Sequence, residues 1–285
     1  MNTHAPTTTV HSAAARASTR GAARELAGEA HRPPRVLLCG FPLDPLSMQQ
    51  TIARVADRFD RGVATSISVM NVAKLVNMRS DALLRESVLT GDPILADGAP
   101  LVWLSRLKRT PLPERVAGID LMRELLRFAD ERRARVYFLG ATASVVQQVI
   151  AATRADFPRL IVAGSRDGYF SNDEQPKVAA EIRASRPDIL LVAMSSPKKE
   201  IFLKQWATTM AVPICHGVGG SFDVVAGVTR RAPLWMQRIG LEWFFRVLQE
   251  PRRMWKRYLV TNTRFLVLAA RDLLGLKFEK RPPHA

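Results

Sequence analysis

The 285-residue sequence contains few cysteines, few histidines and no long apolar run, and each shortage excludes a class of protein. Cys39 and Cys215 lie inside apolar stretches and are too few for a disulfide framework, so we expect two buried thiols. The five histidines lack metal-ligand spacing, and the early glycine fingerprint of dinucleotide-binding domains is missing, so neither a metal nor another cofactor is predicted. No stretch supplies the roughly 20 apolar residues of a membrane-spanning helix.

Acidic residues are also scarce, above all near the C-terminus. The chain has 42 Lys and Arg against 26 Asp and Glu, a net charge of +16. Residues 230–285 hold 13 of these basic residues against 4 acidic ones, whereas the central part of the chain is close to neutral. The C-terminal segment is therefore predicted to face an anionic partner, whether nucleic acid, anionic lipid or a phosphorylated ligand.

The distribution of apolar residues predicts four segments. Residues 1–34, rich in Ala, Thr, Arg and Pro, are expected to be a disordered tail. In residues 35–229 short apolar runs alternate with helical patterns, which predicts an α/β core with a parallel sheet wrapped by helices. Residues 230–278 are predicted to form a basic, amphipathic helical appendage, followed by a short tail over residues 279–285.

Unusual residues follow the predicted strands of the core. The strands are expected near residues 36–39, 63–70, 93–96, 136–139, 160–163, 188–194 and 212–215. Ligands of parallel sheets bind beyond the carboxyl ends of the strands, so the loops after these strands are predicted to form the cleft. The residues there include Asn71, Gly140 and a glycine-rich turn with Gly217, Gly219, Gly220 and Asp223. Such a turn can cradle a diphosphate with its backbone N–H groups, but a glycine-rich turn without a ligand explains it equally well.

Two further strand ends carry charged residues. Asp97 follows an apolar strand and precedes Gly98, a place for a general base, although spacing alone favours a helix cap. Lys198, Lys199 and Glu200 follow Pro197 at the start of a predicted helix. The two cations can neutralise phosphate, and the alternative is a solvated helix start in which Glu200 faces the helix dipole.

The basic segment is interleaved with aromatic residues. Spacings of seven and three place Arg246, Arg253 and Lys256 on one helical face, although Pro251 predicts a break within the span. Cations beside tryptophans are typical of a site that holds a phosphate-bearing lipid at a membrane surface. The alternatives are a solvated helical face and tryptophans, among them Trp235 and Trp255, that only anchor the core.

Taken together, these motifs resemble the bacterial WecG/TagA/CpsF glycosyltransferases from about residue 36 to residue 278. The resemblance is carried by residues 40–44, 71, 96–98, 114–120, 138–140, 196–200, 217–223 and 231–257. It implies a Rossmann-like core, a C-terminal appendage that completes the site at the membrane, and no obligatory metal. The implied reaction moves a sugar, N-acetylmannosamine or a hexose, from a UDP donor to a polyprenyl-diphosphate-linked saccharide, with inversion, in the synthesis of a surface polysaccharide or exopolysaccharide.

The resemblance also implies roles for single residues and a location. Asp97 matches the base, and Asn71 and Arg115 match pocket positions. The appendage residues that would meet the lipid diphosphate are Arg231, Arg246, Arg253, Lys256 and Arg257. The implied location is cytoplasmic, at the inner face of the inner membrane. Three departures bear on the substrates, since the family usually has Thr at Val69, Gln at Lys199 and Arg at Lys256.

Two questions stay open at the level of the sequence. A non-catalytic α/β protein that binds nucleic acid or another anion is the main alternative, because the sequence pI is about 10.9. Neither a recognition-helix module nor aromatic residues spaced for base stacking is evident, however, so nucleic acid is not the expected partner. The oligomeric state is not fixed, and a homo-oligomer is compatible with the sequence.

Overall fold

The computed structural model describes residues 33–278, except for the side chains of Arg253 and Arg257. The predicted tails, residues 1–34 and 279–285, therefore lie almost entirely outside the described residues. The strands are β1 (Val36–Leu38), β2 (Phe41–Leu43), β3 (Thr65–Met70), β4 (Ile94–Ala96), β5 (Arg135–Gly140), β6 (Ile161–Arg166), β7 (Ile189–Ala193) and β8 (Ile214–Gly217).

Six of these strands form one parallel sheet in the order β4-β3-β8-β7-β5-β6. The helices are α1 (Met48–Asp60), α2 (Val72–Asn77), α3 (Ala82–Leu89), α4 (Ala99–Leu107), α5 (Gly118–Arg132), α6 (Ala143–Asp156), α7 (Gln175–Ser185), α8 (Lys198–Met210), α9 (Ser221–Val225), α10 (Leu234–Arg238), α11 (Glu242–Gln249) and α12 (Pro251–Leu273). Helices cover both faces of the sheet, which confirms the predicted Rossmann-like α/β fold.

The first predicted strand does not join this sheet. Instead β1 pairs antiparallel with β2, because the chain reverses at Cys39 and Gly40, both of which have positive φ. Asp44 attaches this hairpin to the sheet: its N–H donates to the Ile94 carbonyl (2.8 Å), and its Oδ2 accepts from the Ile94 N–H (2.7 Å). The hairpin is thus bonded to β4, the strand that leads into Asp97.

Side chains of β3 point alternately to the two faces of the sheet, and each face is covered by its own apolar cluster. Ile67 and Val69 point into one apolar cluster, with residues of α1, α5 and α6. Met70 points to the opposite face, into a cluster with Leu75 of α2 and Leu101 of α4. Burial of both faces explains why the central strands β5 and β7 are nearly continuous apolar runs rather than alternating ones.

The C-terminal helices differ in how they meet this core. α11 ends at Gln249 and α12 begins with Pro251, so the predicted break at the proline is confirmed. The far half of α12 packs on the body, where Phe265 is 6% exposed and belongs to the same apolar cluster as Met70. The boundary at residue 230 stays a prediction. Among residues 33–278, no helix is both long and apolar enough to cross a bilayer.

Candidate functional site

The carboxyl edge of the sheet brings together the residues predicted to form the cleft. Asn71 follows β3, Asp97 follows β4, and Gly140 and Gly217 end β5 and β8. Since β4, β3, β8, β7 and β5 are successive neighbours, these residues form a continuous row along one edge. The row is the place where a doubly wound sheet binds its ligand.

Asp97 is half-buried in the middle of the loop between β4 and α4. Its backbone N–H donates to the Met70 carbonyl (2.8 Å), which ties the residue to the end of β3. The cap position of α4 belongs to Gly98, so the interpretation of Asp97 as a helix cap is wrong. Its side chain is therefore not committed to a helix end and can serve a ligand.

Burial raises the pKa of the Asp97 carboxyl above its ordinary value, and the nearby Glu242 carboxylate acts in the same direction. Arg115, Lys74 and the backbone N–H of Gly118 oppose this rise by favouring the charged form. The carboxyl therefore binds a proton more readily than an exposed aspartate does. This is the property required of a group that removes a proton from a hydroxyl.

Arg115 and Asn71 were both predicted to lie in the pocket. The Arg115 guanidinium forms an ion pair with Glu242 of α11 (2.8 Å), so it joins the core to the C-terminal helices. Asn71 caps α2, since its side chain accepts from the Lys74 N–H at 2.9 Å. Arg115 lies near Asp97, and Asn71 lies at the end of the neighbouring strand β3. Their roles toward a ligand stay predictions.

Lys199 and Glu200 do not form a solvated helix start. Together with Lys74 of α2 they form a buried cluster, and all three side chains are 6–9% exposed. Glu200 Oε1 lies 2.9 Å from the Lys74 Nζ and 2.8 Å from the Lys199 Nζ. The expectation of a solvated turn is wrong for these two residues, because Glu200 neutralises charge inside the fold; Lys198, in contrast, is exposed.

The buried cluster shifts the pKa values of its members in a consistent way. Burial and the charge of Lys74 lower the pKa of Lys199 to about 8, against the opposing effect of Glu200. The two lysines overcome the effect of burial on Glu200 and lower its pKa to about 2. Near neutral pH Glu200 is therefore a carboxylate, and Lys199 loses its proton as the pH rises through about 8.

The glycine-rich turn lies directly against Lys199. A methyl group on Gly217 would approach the Lys199 side chain to 3.0 Å, and one on Gly219 would lie 3.9 Å from its Nζ. Gly219 also has a φ of +56°, and Gly220 is the residue before α9, the short helix that contains Asp223. The turn that was predicted to cradle a diphosphate thus has an ammonium group beside it.

Gly140 allows an unusually close approach of two strands. A methyl group there would lie 2.4 Å from the Ala193 carbonyl oxygen, and its φ is +123°. Any other residue would push β5 away from β7 at the carboxyl edge. Gly140 therefore keeps the ends of β5 and β7 close together at the predicted cleft.

The predicted lipid-diphosphate residues are more dispersed than the sequence suggested. Arg231 binds both carboxylate oxygens of Asp120 in the first turn of α5 (2.6 and 2.7 Å), so phosphate binding would require exchange of this partner. Arg246 lies on α11 and Lys256 on α12, both exposed, so the prediction that Arg246 shares a face of one helix with Arg253 and Lys256 is wrong. The side chains of Arg253 and Arg257 lie outside the described residues. The binding role of this set stays a prediction.

The tryptophans of this region are not core anchors. Trp235 is 60% exposed and Trp255 is 54% exposed. Trp243 is half-buried and packs against Phe244 and Tyr258. The exposed rings and the basic side chains form a mixed polar and apolar surface on α10, α11 and α12.

Two buried residues near the site were not predicted. Lys74 lies three residues after Asn71, in a short helix whose apolar pattern gave no reason to single it out. His216 was placed in the loop after the last strand, but it belongs to β8 and is fully buried. The strand signal of residues 212–215 ended too early, because His and Gly continue the strand without the usual apolar side chains.

Comparison with known proteins agrees with the resemblance noted from the sequence. Residues 36–279 match the model of the glycosyl transferase WecG/TagA/CpsF family. An N-acetylglucosaminyldiphosphoundecaprenol N-acetyl-beta-D-mannosaminyltransferase of Bacillus spizizenii is 38% identical over 197 residues, which is 69% of this chain and 74% of the relative. A protein of the same name from Bacillus subtilis is 34% identical over 200 residues, or 70% of this chain and 77% of the relative. The chain therefore belongs to the WecG/TagA/CpsF family of glycosyltransferases.

Proposed function

We propose that this glycosyltransferase moves N-acetylmannosamine from a UDP donor to N-acetylglucosaminyl diphosphoundecaprenol, with inversion at the anomeric carbon. The observation that carries the proposal is the position of Asp97, half-buried beside Arg115 at the carboxyl edge of the sheet. The names of the two Bacillus relatives supply the sugar and the acceptor. Membership in the family also favours an enzyme over the nucleic-acid-binding alternative.

Asp97 acts as the general base in this reaction. Its carboxylate takes the proton of the acceptor hydroxyl while that oxygen forms a bond to the anomeric carbon. The bond from this carbon to the UDP oxygen breaks on the opposite face, and UDP leaves with the electron pair. The raised pKa of Asp97 helps it hold the proton until water removes it.

The leaving diphosphate binds at the glycine-rich turn. The N–H groups of Val218 and Gly219 donate to the Val192 carbonyl (2.9 and 3.3 Å), so in this turn the Lys199 ammonium group beside Gly219 supplies the positive charge for the diphosphate. Arg115 is a second cation near Asp97. These groups can stabilise the developing negative charge, and among the described residues no cluster of three metal-ligating side chains is present.

The acceptor binds along α10, α11 and α12 while these helices contact the cytoplasmic face of the inner membrane. The exposed Trp235 and Trp255 rings suit the headgroup region, and the basic residues suit both anionic lipid and the acceptor diphosphate. This placement would assign the enzyme to the synthesis of a cell-envelope polysaccharide or exopolysaccharide. Flotation with anionic and neutral vesicles tests it, since binding independent of lipid charge would contradict the role of the cations.

Product analysis tests the reaction itself. The protein is incubated with a panel of UDP-sugars and a short-chain prenyl-diphosphate N-acetylglucosamine, with EDTA present. We expect a disaccharide product with UDP-N-acetylmannosamine, detected by its mass, and a β-linkage shown by NMR. Absence of product with every donor would refute the proposal, and retention of configuration would refute the single-base mechanism.

A further inference from the structure

His216 is a buried titratable group next to the site that the proposed chemistry does not use. It is 0% exposed and lies in β8, where it is aligned with Ile67 of β3 and Leu191 of β7. Its Nε2 lies 3.2 Å from the carbonyl oxygen of Gly118. Because a carbonyl accepts and cannot donate, this contact is a hydrogen bond in the Nε2–H tautomer of the ring.

The surroundings keep this imidazole neutral. Burial and the charges of Lys74 and Lys199 lower the His216 pKa to about 4, while contacts with the backbone of Gly118 and Ile67 act in the opposite direction. A neutral ring can donate one hydrogen bond without placing a third cation beside the two buried lysines.

The Gly118 peptide connects His216 to the proposed base. A methyl group on Gly118 would lie 3.7 Å from Asp97 Oδ2 and 4.0 Å from His216 Nε2, so this peptide lies between the two side chains. Its N–H favours the charged form of Asp97. Gly118 begins α5, and the preceding Ala117 has no side-chain oxygen to cap the helix.

The segment around Gly118 is held at two points. The Val116 N–H donates to the Ala96 carbonyl (2.9 Å), which binds the segment to the end of β4, and His216 holds the Gly118 carbonyl. Arg115 lies at the start of the same segment. Loss of either contact would loosen both the Gly118 peptide and the arginine.

We propose that His216 is a positioning residue for the transfer reaction: its imidazole N–H holds the Gly118 carbonyl and thereby fixes the Gly118 peptide and Arg115 against Asp97. The inference deepens the proposed function and rests on it, because the positioning matters for turnover only if Asp97 acts as the base. A displacement of about 1 Å at a reacting group can lower turnover about 100-fold, so a contact one residue removed from the base has a measurable effect.

Three variants separate positioning from general damage to the core. His216→Leu removes the N–H, His216→Gln keeps an amide N–H at a similar reach, and Cys215→Ala perturbs the adjacent buried position on the opposite face of β8. We expect H216L to lower kcat about 10- to 100-fold with donor KM within about twofold. H216Q is expected to restore most of the loss, and C215A to stay near wild type.

The pH profile gives a readout that a merely structural role would not change. Without its anchor, the Gly118 N–H no longer stabilises the charged Asp97, so the acidic limb of kcat should move to higher pH in H216L. An H216L protein with the kcat and pH profile of C215A would overturn the inference. So would equal losses in H216L and H216Q.

NMR of the wild-type protein tests the contact without relying on a folded variant. In protein labelled with ¹⁵N-histidine, we expect a His216 signal with Nε2 protonated and Nδ1 bare, unchanged between pH 8 and about pH 5. A ring that is protonated at Nδ1, or one that titrates near pH 6.5, overturns the inference. If the wild-type protein transfers no sugar, the proposed function is refuted, whatever the spectra show. If the wild type is active and H216L is equally active, only the positioning role of His216 is refuted.

Discussion

The buried cluster of Lys74, Lys199 and Glu200 allows a quantitative prediction for Glu200→Gln. The substitution keeps the size of the side chain but removes the carboxylate that lies 2.8–2.9 Å from both ammonium groups. Two lysines would then lie together inside the fold without the carboxylate that pairs with both of them. Breaking a buried ion pair in this way typically costs about 3–5 kcal/mol.

The pKa of Glu200 gives a separate figure of the same size. Its value falls from 4.5 to about 2 in the folded protein, and one pKa unit corresponds to roughly 1.4 kcal/mol, so the charged carboxylate contributes about 3 kcal/mol. Because the folded pKa is depressed, this contribution is present above pH 4.5 and is lost as the pH falls toward 2. In E200Q, Lys199 can release its proton and so reduce the repulsion between the two lysines. We therefore expect the loss of unfolding free energy to lie near the lower end of the range of about 3–5 kcal/mol.

Thermal unfolding measures this loss. At pH 7 we expect E200Q to melt roughly 6–12 °C below wild type, since about 1 kcal/mol moves the midpoint by 2–4 °C in a domain of this size. The matched control is Glu86→Gln. The exposed Glu86 carboxylate on α3 lies 2.7 Å from the Nζ of Lys204, which is on α8 like Lys199 and Glu200. Exposed pairs contribute little, so E86Q should melt close to wild type. Equal shifts in the two variants, or an E200Q shift that persists unchanged at pH 2, would refute the argument.

Three predictions concern the reaction. Asp97→Asn should keep the melting temperature and UDP affinity but lower kcat by about 10²–10⁴-fold, measured by UDP release, and near-normal turnover would place the base elsewhere. Lys199→Gln should remove a basic limb near pH 8 from the activity profile, because the wild-type cation is lost as the pH rises through its pKa of about 8; a limb that survives in K199Q belongs to another group. Arg246→Ala combined with Arg253→Ala should raise the acceptor KM far more than the donor KM, and unchanged acceptor kinetics would leave these arginines as solvated surface.

Much of the fold was accessible from the sequence because strands such as β5 and β7 are short apolar runs between helical patterns. The predicted strand at residues 136–139 differs from β5 by one residue at each end. The β1–β2 hairpin was missed, since its second strand has three residues and follows the first after two turn residues. Nothing in that pattern distinguishes an antiparallel pair outside the sheet from a strand within it.

The site was predictable in position but less so in contacts. Strand ends and glycine turns indicated the carboxyl edge, because the topology of a parallel sheet brings such loops together. The pairing of Glu200 with Lys74 could not be foreseen, since the two residues are more than a hundred positions apart and meet only where α2 lies near α8. His216 was overlooked for a similar reason, because its hydrogen-bond partner is Gly118 on α5 and not one of its own neighbours in the sequence.

The docking of α12 has a consequence for how this protein is made. The Cys39 N–H donates to Asp272 of α12 at 2.7 Å, across 233 residues of chain. At synthesis rates of about 5–20 residues per second, the ribosome needs on the order of 10–50 s to reach the second partner after the first. Until then the apolar cluster lacks Phe265, its buried member from α12. Cys39 is fully buried in the folded protein, so the time at which its thiol becomes inaccessible to an alkylating reagent reports when this part of the fold closes.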